Sequence, residues 1–133
     1  IPQDYVEDIF LRLEIYNDIS NAKNDYDIDY IVSKLEDVYG PIPDYLKNLF
    51  SLTRVKIEGN RIKANKIKIN KENTVISLNP KNLIDNDKLI DHFVLKNKIK
   101  LTDQYNLKYQ NISKDNFCEL CEEVISMMKD ISD

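Results

Sequence analysis

The sequence predicts an α+β fold: a helical N-terminal half of three helices, then two β-hairpins forming a small antiparallel sheet with two further helices. Three observations carry this. Apolar residues recur three or four apart through the first 60 or so positions, the spacing of one helical face. Polar and apolar residues then alternate from Lys66, as they do along a strand with one buried face. The helical period returns after Asp85 and again after Ser113. Runs of helices followed by hairpins point to α+β with a segregated antiparallel sheet.

Ile9, Leu13, Tyr16, Ile19 and Ala22 mark the first helix, which Asn24-Asp25 ends with turn-favouring residues. Ile28, Ile31, Leu35 and Val38 mark the second, with Val32 and Tyr39 widening its face. Gly40 stops it, because glycine tolerates the positive φ common just past a helix C-terminus. Pro43 suits the first turn of the third helix, where a missing N–H costs nothing; Ile42, Leu46, Leu49, Phe50 and Thr53 continue that helix toward Ile62. Lys66–Ile69 and Thr74–Leu78 flank the polar Asn70–Asn73, a hairpin pattern. Asp85 or Asn86 caps a fourth helix with Leu89, Ile90 and Phe93 inward. A second hairpin joins Lys98–Thr102 to Asn106–Gln110 through Asp103-Gln104-Tyr105. Ser113 or Asp115 opens the last helix, whose stripe is Phe117, Leu120, Cys121, Val124, Met128 and Ile131.

The 133 residues suit a single domain spanning 1–133. Hydrophobic residues make up 42% and charged residues 32%, a globular balance. A net charge of -4 argues against a dedicated nucleic-acid module, although lysines gather at Lys63, Lys66, Lys68 and Lys71. The start at Ile1-Pro2 without methionine is expected of a processed chain or a fragment. No apolar run approaches the ~20 residues of a membrane span, and two cysteines without a disulfide pattern suit a reducing cytoplasm.

Few residues are placed for chemistry. Cys118 and Cys121 have CxxC spacing, but zinc needs two more ligands and Cys121 falls on the apolar stripe. His92 is the only histidine; pairing it with a cysteine nucleophile would also require an oxyanion hole, and no glycine-rich turn is available. Asp25, Asp27 and Asp29 alternate like a calcium loop, yet Tyr30 and Glu36 stand where that loop wants glycine and glutamate, so capping of a helix N-terminus is the better account. Glu36 with Asp37, and Glu122 with Glu123, are adjacent and diverge around a helix, so neither makes an acid/base dyad. With two glycines, Gly40 and Gly59, neither a P-loop nor a dinucleotide fingerprint can be built. The expectation is a fragment with no enzyme activity, cofactor or metal of its own.

Ile1-Pro2-Gln3-Asp4-Tyr5-Val6 followed by Arg12-Leu13-Glu14-Ile15-Tyr16 is similar to the "IPxDY…RLxLY" opening of the C-terminal domain of the bacterial transcription-repair coupling factors (Mfd). Leu35-Glu36-Asp37-Val38-Tyr39-Gly40-Pro41-Ile42-Pro43 is similar to its "L-x-D-R-F-G-x-x-P", and Asn106–Tyr109 with the closing helix keeps the order of elements. The resemblance implies a regulatory clamp on the N-terminal UvrB-like module of the same protein, masking its UvrA-binding surface. The parent would be an ATP-dependent DNA translocase, with ATP and Mg in its motor domains, that displaces stalled RNA polymerase in the bacterial cytoplasm. The implied clamp contact lies at the end of the second helix, at Lys34, Asp37 and Val38. Lys34 stands where the family commonly has Glu, and Val38 where it has Arg. Asp37 fits either an interfacial role or a structural one holding the helix end. Arg12, Leu13, Tyr16, Leu35, Tyr39, Gly40 and Pro43 are implied as structural motif residues. The rival readings are a nucleic-acid-binding module using the Lys63–Lys71 hairpin and a small enzyme using Cys118 or His92.

Overall fold

A computed structural model describes residues 4–103, 105–113 and 115–132. Ile1, Pro2 and Gln3 of the opening motif and Gln104 of the second hairpin turn therefore lie outside the described residues. The chain forms two compact units, Ile1–Ile57 and Glu58–Asp133. Among the described residues, five α-helices and a four-stranded antiparallel sheet make an α+β fold, as the periodicities predict.

In the first unit, α1 (Ile9–Asn21) is capped by Asp8, whose carboxylate accepts from the Phe10 N–H at 2.8 Å. α2 (Asp25–Tyr39) is capped by Asn24, which accepts from the Asp27 N–H at 2.9 Å, while Asp27 accepts from the Lys23 N–H at 2.9 Å. Asp25 and Asp29 both pair with Arg54, at 3.0 and 2.6 Å. The calcium-like triad is thus spent on capping and an ion pair. α3 (Asp44–Arg61) starts one residue after Pro43, whose carbonyl accepts from the Lys47 N–H at 3.0 Å, so Pro43 precedes the first turn rather than occupying it. Ile19, Ile28, Leu35, Ile42, Leu46 and Phe50 form the core of the unit.

The inward face of α1 differs from the sequence-predicted stripe. Ile19 is buried, Ile15, Tyr16 and Ala22 are half-buried, but Ile9 and Leu13 face solvent, Leu13 at 59% exposure. A helix turns roughly 100° per residue, so each step of three falls about 60° short of a full turn. Three such steps from Leu13 to Ala22 rotate the stripe half-way round, and one face cannot hold both ends. Val38, also assigned to an apolar stripe, is 64% exposed.

In the second unit, β1 (Ala64–Ile69) and β2 (Asn73–Leu78) form the first hairpin, β3 (Ile99–Asp103) and β4 (Asn106–Gln110) the second. Their order in the sheet is β1-β2-β4-β3, so β2 pairs with β4 and joins the hairpins. One face carries Ile76, Leu78, Ile99, Leu107 and Tyr109 into the core with α5 (Phe117–Asp130), which contributes Leu120, Cys121, Val124, Met127 and Met128. Gly59 of α3 faces Ile67 of β1 so closely that a Cβ there would stand 2.5 Å from the Ile67 Cδ1. Asn116, not Ser113 or Asp115, caps α5, and Phe117 at its first turn is exposed. The fourth helix, α4 (Asn86–Leu89), is capped by Asp85 and runs into a π-helical turn over Ile90–Val94. Leu89 and Phe93 are buried as predicted, but Ile90 is exposed. The widened turn is the cause: Leu95 N–H bonds to the Ile90 carbonyl at 3.0 Å, five residues back, which rotates the phase of the apolar pattern.

Candidate functional site

The end of α2 is held by the motif residues around it. The Tyr5 hydroxyl donates to the Gly40 carbonyl at 3.0 Å and lies 3.4 Å from that of Leu35, and its ring packs on Tyr39 with centroids 5.6 Å apart. Gly40 has φ +88 and donates its N–H to the Glu36 carbonyl at 3.0 Å, closing the helix. Arg12 Nη1 donates to the carbonyls of Val6 (2.7 Å) and Glu7 (2.9 Å), folding the segment before α1 back onto that helix. Tyr16 lies with its hydroxyl 3.5 Å from that of Tyr45. Leu35 is buried in the core of the unit; Leu13 is not.

Lys34, Asp37 and Val38, at i, i+3 and i+4, all face solvent on one side of α2. Asp37 takes no part in closing the helix, a task that falls to Gly40 and Tyr5. Beside this face, α1 and α2 enclose a groove of ≈ 550 Å³. Leu11, Ile15, Tyr30, Ile31 and Val38 supply its apolar surface; Glu14, Asp18 and Asp27 are its carboxylates and Lys34 its cation. Lys34 and Val38 therefore share a concave surface, with Asp37 outside the groove lining. Periodicity marks Ala22, Ile31, Leu35, Val38 and Tyr39 of its lining as apolar positions, but not that α1 and α2 leave a groove between them.

The residues considered for chemistry are dispersed. Burial pushes the Cys121 thiol up to about 11, with Cys118 and Glu122 adding to the shift, so at neutral pH it is a packed thiol. His92 lines a cavity of ≈ 670 Å³ in the second unit with Lys88, Lys96, Lys98 and Lys129, and no cysteine lines it. Among the described residues, no group of His, Cys, Asp or Glu could hold a metal ion, and no helix is long and apolar enough to cross a membrane. Of the paired carboxylates, Glu123 has a definite task. It accepts from the Tyr109 hydroxyl (2.5 Å) and from the N–H groups of Ile112 (2.8 Å) and Ser113 (2.7 Å). Burial raises the Glu123 pKa, and these bonds together outweigh it, holding the carboxyl below its usual range.

This architecture defines an α+β domain whose described residues form five α-helices and a four-stranded antiparallel sheet. A crystal structure of the C-terminal domain of transcription-repair coupling factor shares the fold, with a TM-score of 0.76 over 97% of this chain and 87% of that one, at 18% identity. The family model for the TRCF domain matches residues 1–89, and the chain belongs to that family. Among curated relatives, the transcription-repair-coupling factor of Buchnera aphidicola is 26% identical over 132 residues, 98% of this chain and 16% of that protein. That of Haemophilus influenzae is 25% identical over 134 residues, 99% of this chain and 12% of the relative. The Escherichia coli protein is 28% identical over 85 residues, 64% of this chain and 7% of the relative. The chain thus spans a small part of the length of each relative.

Proposed function

We propose that this chain is a regulatory interaction domain of a transcription-repair coupling factor, without chemistry of its own. In this reading it closes as a clamp on the N-terminal UvrB-like module of the same protein and masks the surface that receives UvrA. The parent is an ATP-dependent DNA translocase that displaces stalled RNA polymerase and brings in nucleotide excision repair. ATP and Mg belong to its motor domains, and DNA, RNA polymerase and UvrA are met through the parent.

The observation that supports this best is the solvent-facing set Lys34, Asp37 and Val38 on a rigidly terminated helix. A clamp must stay shut yet open on demand. Linkage within one protein supplies a high effective concentration, so a modest, partly polar interface suffices. Asp37 fits that need: its carboxylate is exposed and takes no part in closing the helix, so it is available to a cationic partner group at little cost in stability. Lys34 and Val38 extend the contact into the groove between α1 and α2.

The test is binding of this chain in trans to the N-terminal module by titration calorimetry. Asp37→Lys and Val38→Glu should each weaken binding roughly tenfold or more, the cost of a like-charge or desolvated charge at an interface. Equal affinities for wild type and both variants, with unchanged circular dichroism, place the interface elsewhere.

A further inference from the structure

The lysines of the first hairpin acquire new neighbours in the sheet. Along β1, Lys66 and Lys68 point to solvent while Ile67 and Ile69 turn inward. Register then runs straight across all four strands: Lys68 opposes Val75, Val75 opposes Lys108, and Lys108 opposes Lys100. Side chains in such a row project from the same face. Lys68, Lys100 and Lys108 therefore stand in one line, with Lys66 and Ser77 in the next row. Strands lie about 4.8 Å apart, which puts Lys108 about 5 Å from Lys100 and about 10 Å from Lys68. Lys63 and Lys71 lie outside β1, before it and in the turn after it, so the basic surface is not the hairpin as read from sequence. It is the solvent face of the whole sheet.

Two further facts bear on what this face meets. Beside the row, a shallow cavity of ≈ 200 Å³ is lined by Lys98, Lys100 and Lys108, by the amides of Asn73, Asn97 and Gln110, and by the carboxylate of Glu72. Every one of these groups but Glu72 can donate a hydrogen bond to an anionic oxygen. The charge of the chain is also unevenly divided. Residues 1–57 carry 6 basic and 11 acidic side chains, whereas residues 58–133 carry 13 and 12. The acidity that argues against nucleic acid thus resides in the first unit. The carboxylate of Asp103, at the end of β3, belongs to the neighbouring row of Asn106, Ser77 and Lys66, where it accepts from the Tyr105 N–H (2.9 Å) and the Asn106 amide (2.7 Å).

Lys100 directly opposite Lys108 is unfavourable for the sheet itself, since like charges across a strand pair repel. An anion lying between the two ammonium groups would relieve that repulsion. We propose that the solvent face of this sheet binds the phosphodiester backbone of nucleic acid, through Lys68, Lys100 and Lys108 with the adjoining amide-lined cavity. No aromatic side chain stands in the row to stack on bases, so the contact is to phosphates and is independent of sequence.

The experiment uses the 133-residue chain and a fluorescein-labelled 20-base-pair duplex, with anisotropy read from 50 to 200 mM NaCl. Three phosphate contacts give a log–log slope of about −2.7, a fall of about 40-fold over that range. The triple variant Lys68→Glu/Lys100→Glu/Lys108→Glu should abolish binding. Lys23→Glu/Lys47→Glu/Lys56→Glu, with the same charge change in the first unit, should bind within about threefold of wild type. Lys100→Glu alone should raise the melting temperature by pairing with Lys108 while weakening DNA binding, a combination that misfolding cannot produce. The proposal is overturned if wild type shows no salt-dependent binding, if both triple variants lose it equally, or if polyglutamate of matched charge competes as well as unlabelled DNA.

Discussion

Removing the Glu123 carboxylate should loosen the second unit at one definable place. Glu123 sits on α5 and holds two things at once: the hydroxyl of Tyr109, whose side chain is buried, and the backbone N–H groups of Ile112 and Ser113 in the connection from β4 to α5. Hydrogen bonds to a charged acceptor are worth about 1.5–3 kcal/mol each in favourable cases, and a buried hydroxyl left without a partner costs about 1–3 kcal/mol. Glu123 is itself half-buried, so solvent replaces part of what the two backbone donors lose. Glu123→Ala should then destabilise the chain by about 2–4 kcal/mol. Glu123→Gln, which keeps one acceptor oxygen but places an amide N–H₂ against donors, should cost about 1–2 kcal/mol. Tyr109→Phe removes one donor and orphans no buried group, so about 1 kcal/mol is expected. In the double-mutant cycle the two should couple by about 1 kcal/mol, because each single change already breaks the shared bond.

The same bond fixes the pH dependence. The Glu123 carboxyl is held below its usual range in the fold, so its contribution is fully present above the unfolded glutamate pKa, near 4.3, and is lost as pH falls through the lower folded value. Burial, with the Glu123 hydrogen bond and charge beside it, raises the Tyr109 pKa well above its usual 10.0. That contribution is intact below 10 and is lost as pH rises beyond it. Stability should therefore fall at both extremes, and Glu123→Gln should flatten the acid limb. The assay is urea unfolding by circular dichroism from pH 3 to 7, with amide exchange at Ile112 and Ser113 as the local readout. Wild-type exchange rates at those two amides in Glu123→Gln, or an unchanged acid limb, would refute the reasoning.

Two further outcomes concern the end of α2. Gly40→Ala should cost about 1–3 kcal/mol in urea unfolding; nothing lies within 4 Å of the added Cβ, so the whole cost is backbone strain at φ +88 and ψ −162, a region essentially confined to glycine, and Gly40→Asn should cost as much. Tyr5→Phe should cost about 1 kcal/mol and speed amide exchange at Gly40, since the lost hydroxyl bonds to the Gly40 carbonyl while the ring contact with Tyr39 survives. No change in either quantity for Tyr5→Phe would assign the motif tyrosine to packing alone.

These positions also mark how far the sequence was legible. Gly40 and the Asp85 cap could be read locally, because each acts on its own few neighbours, whereas Asn24 read as the break after α1 and proved to cap α2. The hairpins were legible for the same reason. What failed was phase: Leu13 lies on a drifting stripe, and Ile90 sits at a π-helical turn that no spacing rule anticipates. What was out of reach was register between distant segments. Thr74 and Asn111, buried and bonded at 2.9 Å, are 37 residues apart, and nothing near either one names the other. Glu123 read as one of two adjacent acids until the fold brought Tyr109 to it.

The lysine row was hidden for that same reason, and it changes how the charge of the chain should be weighed. Lys68 and Lys108 are brought together only by the pairing of β2 with β4, a contact between two hairpins. A whole-chain net charge averages that surface against the 11 acidic residues of the first unit. The proposed clamp and the proposed phosphate contact consequently draw on different residues in different units. Asp37→Lys should leave DNA binding intact, and Lys100→Glu should leave binding to the N-terminal module intact. Were either variant to disturb both, the two surfaces would be one, and the separate assignment of clamp to α2 and phosphate to the sheet would fall together.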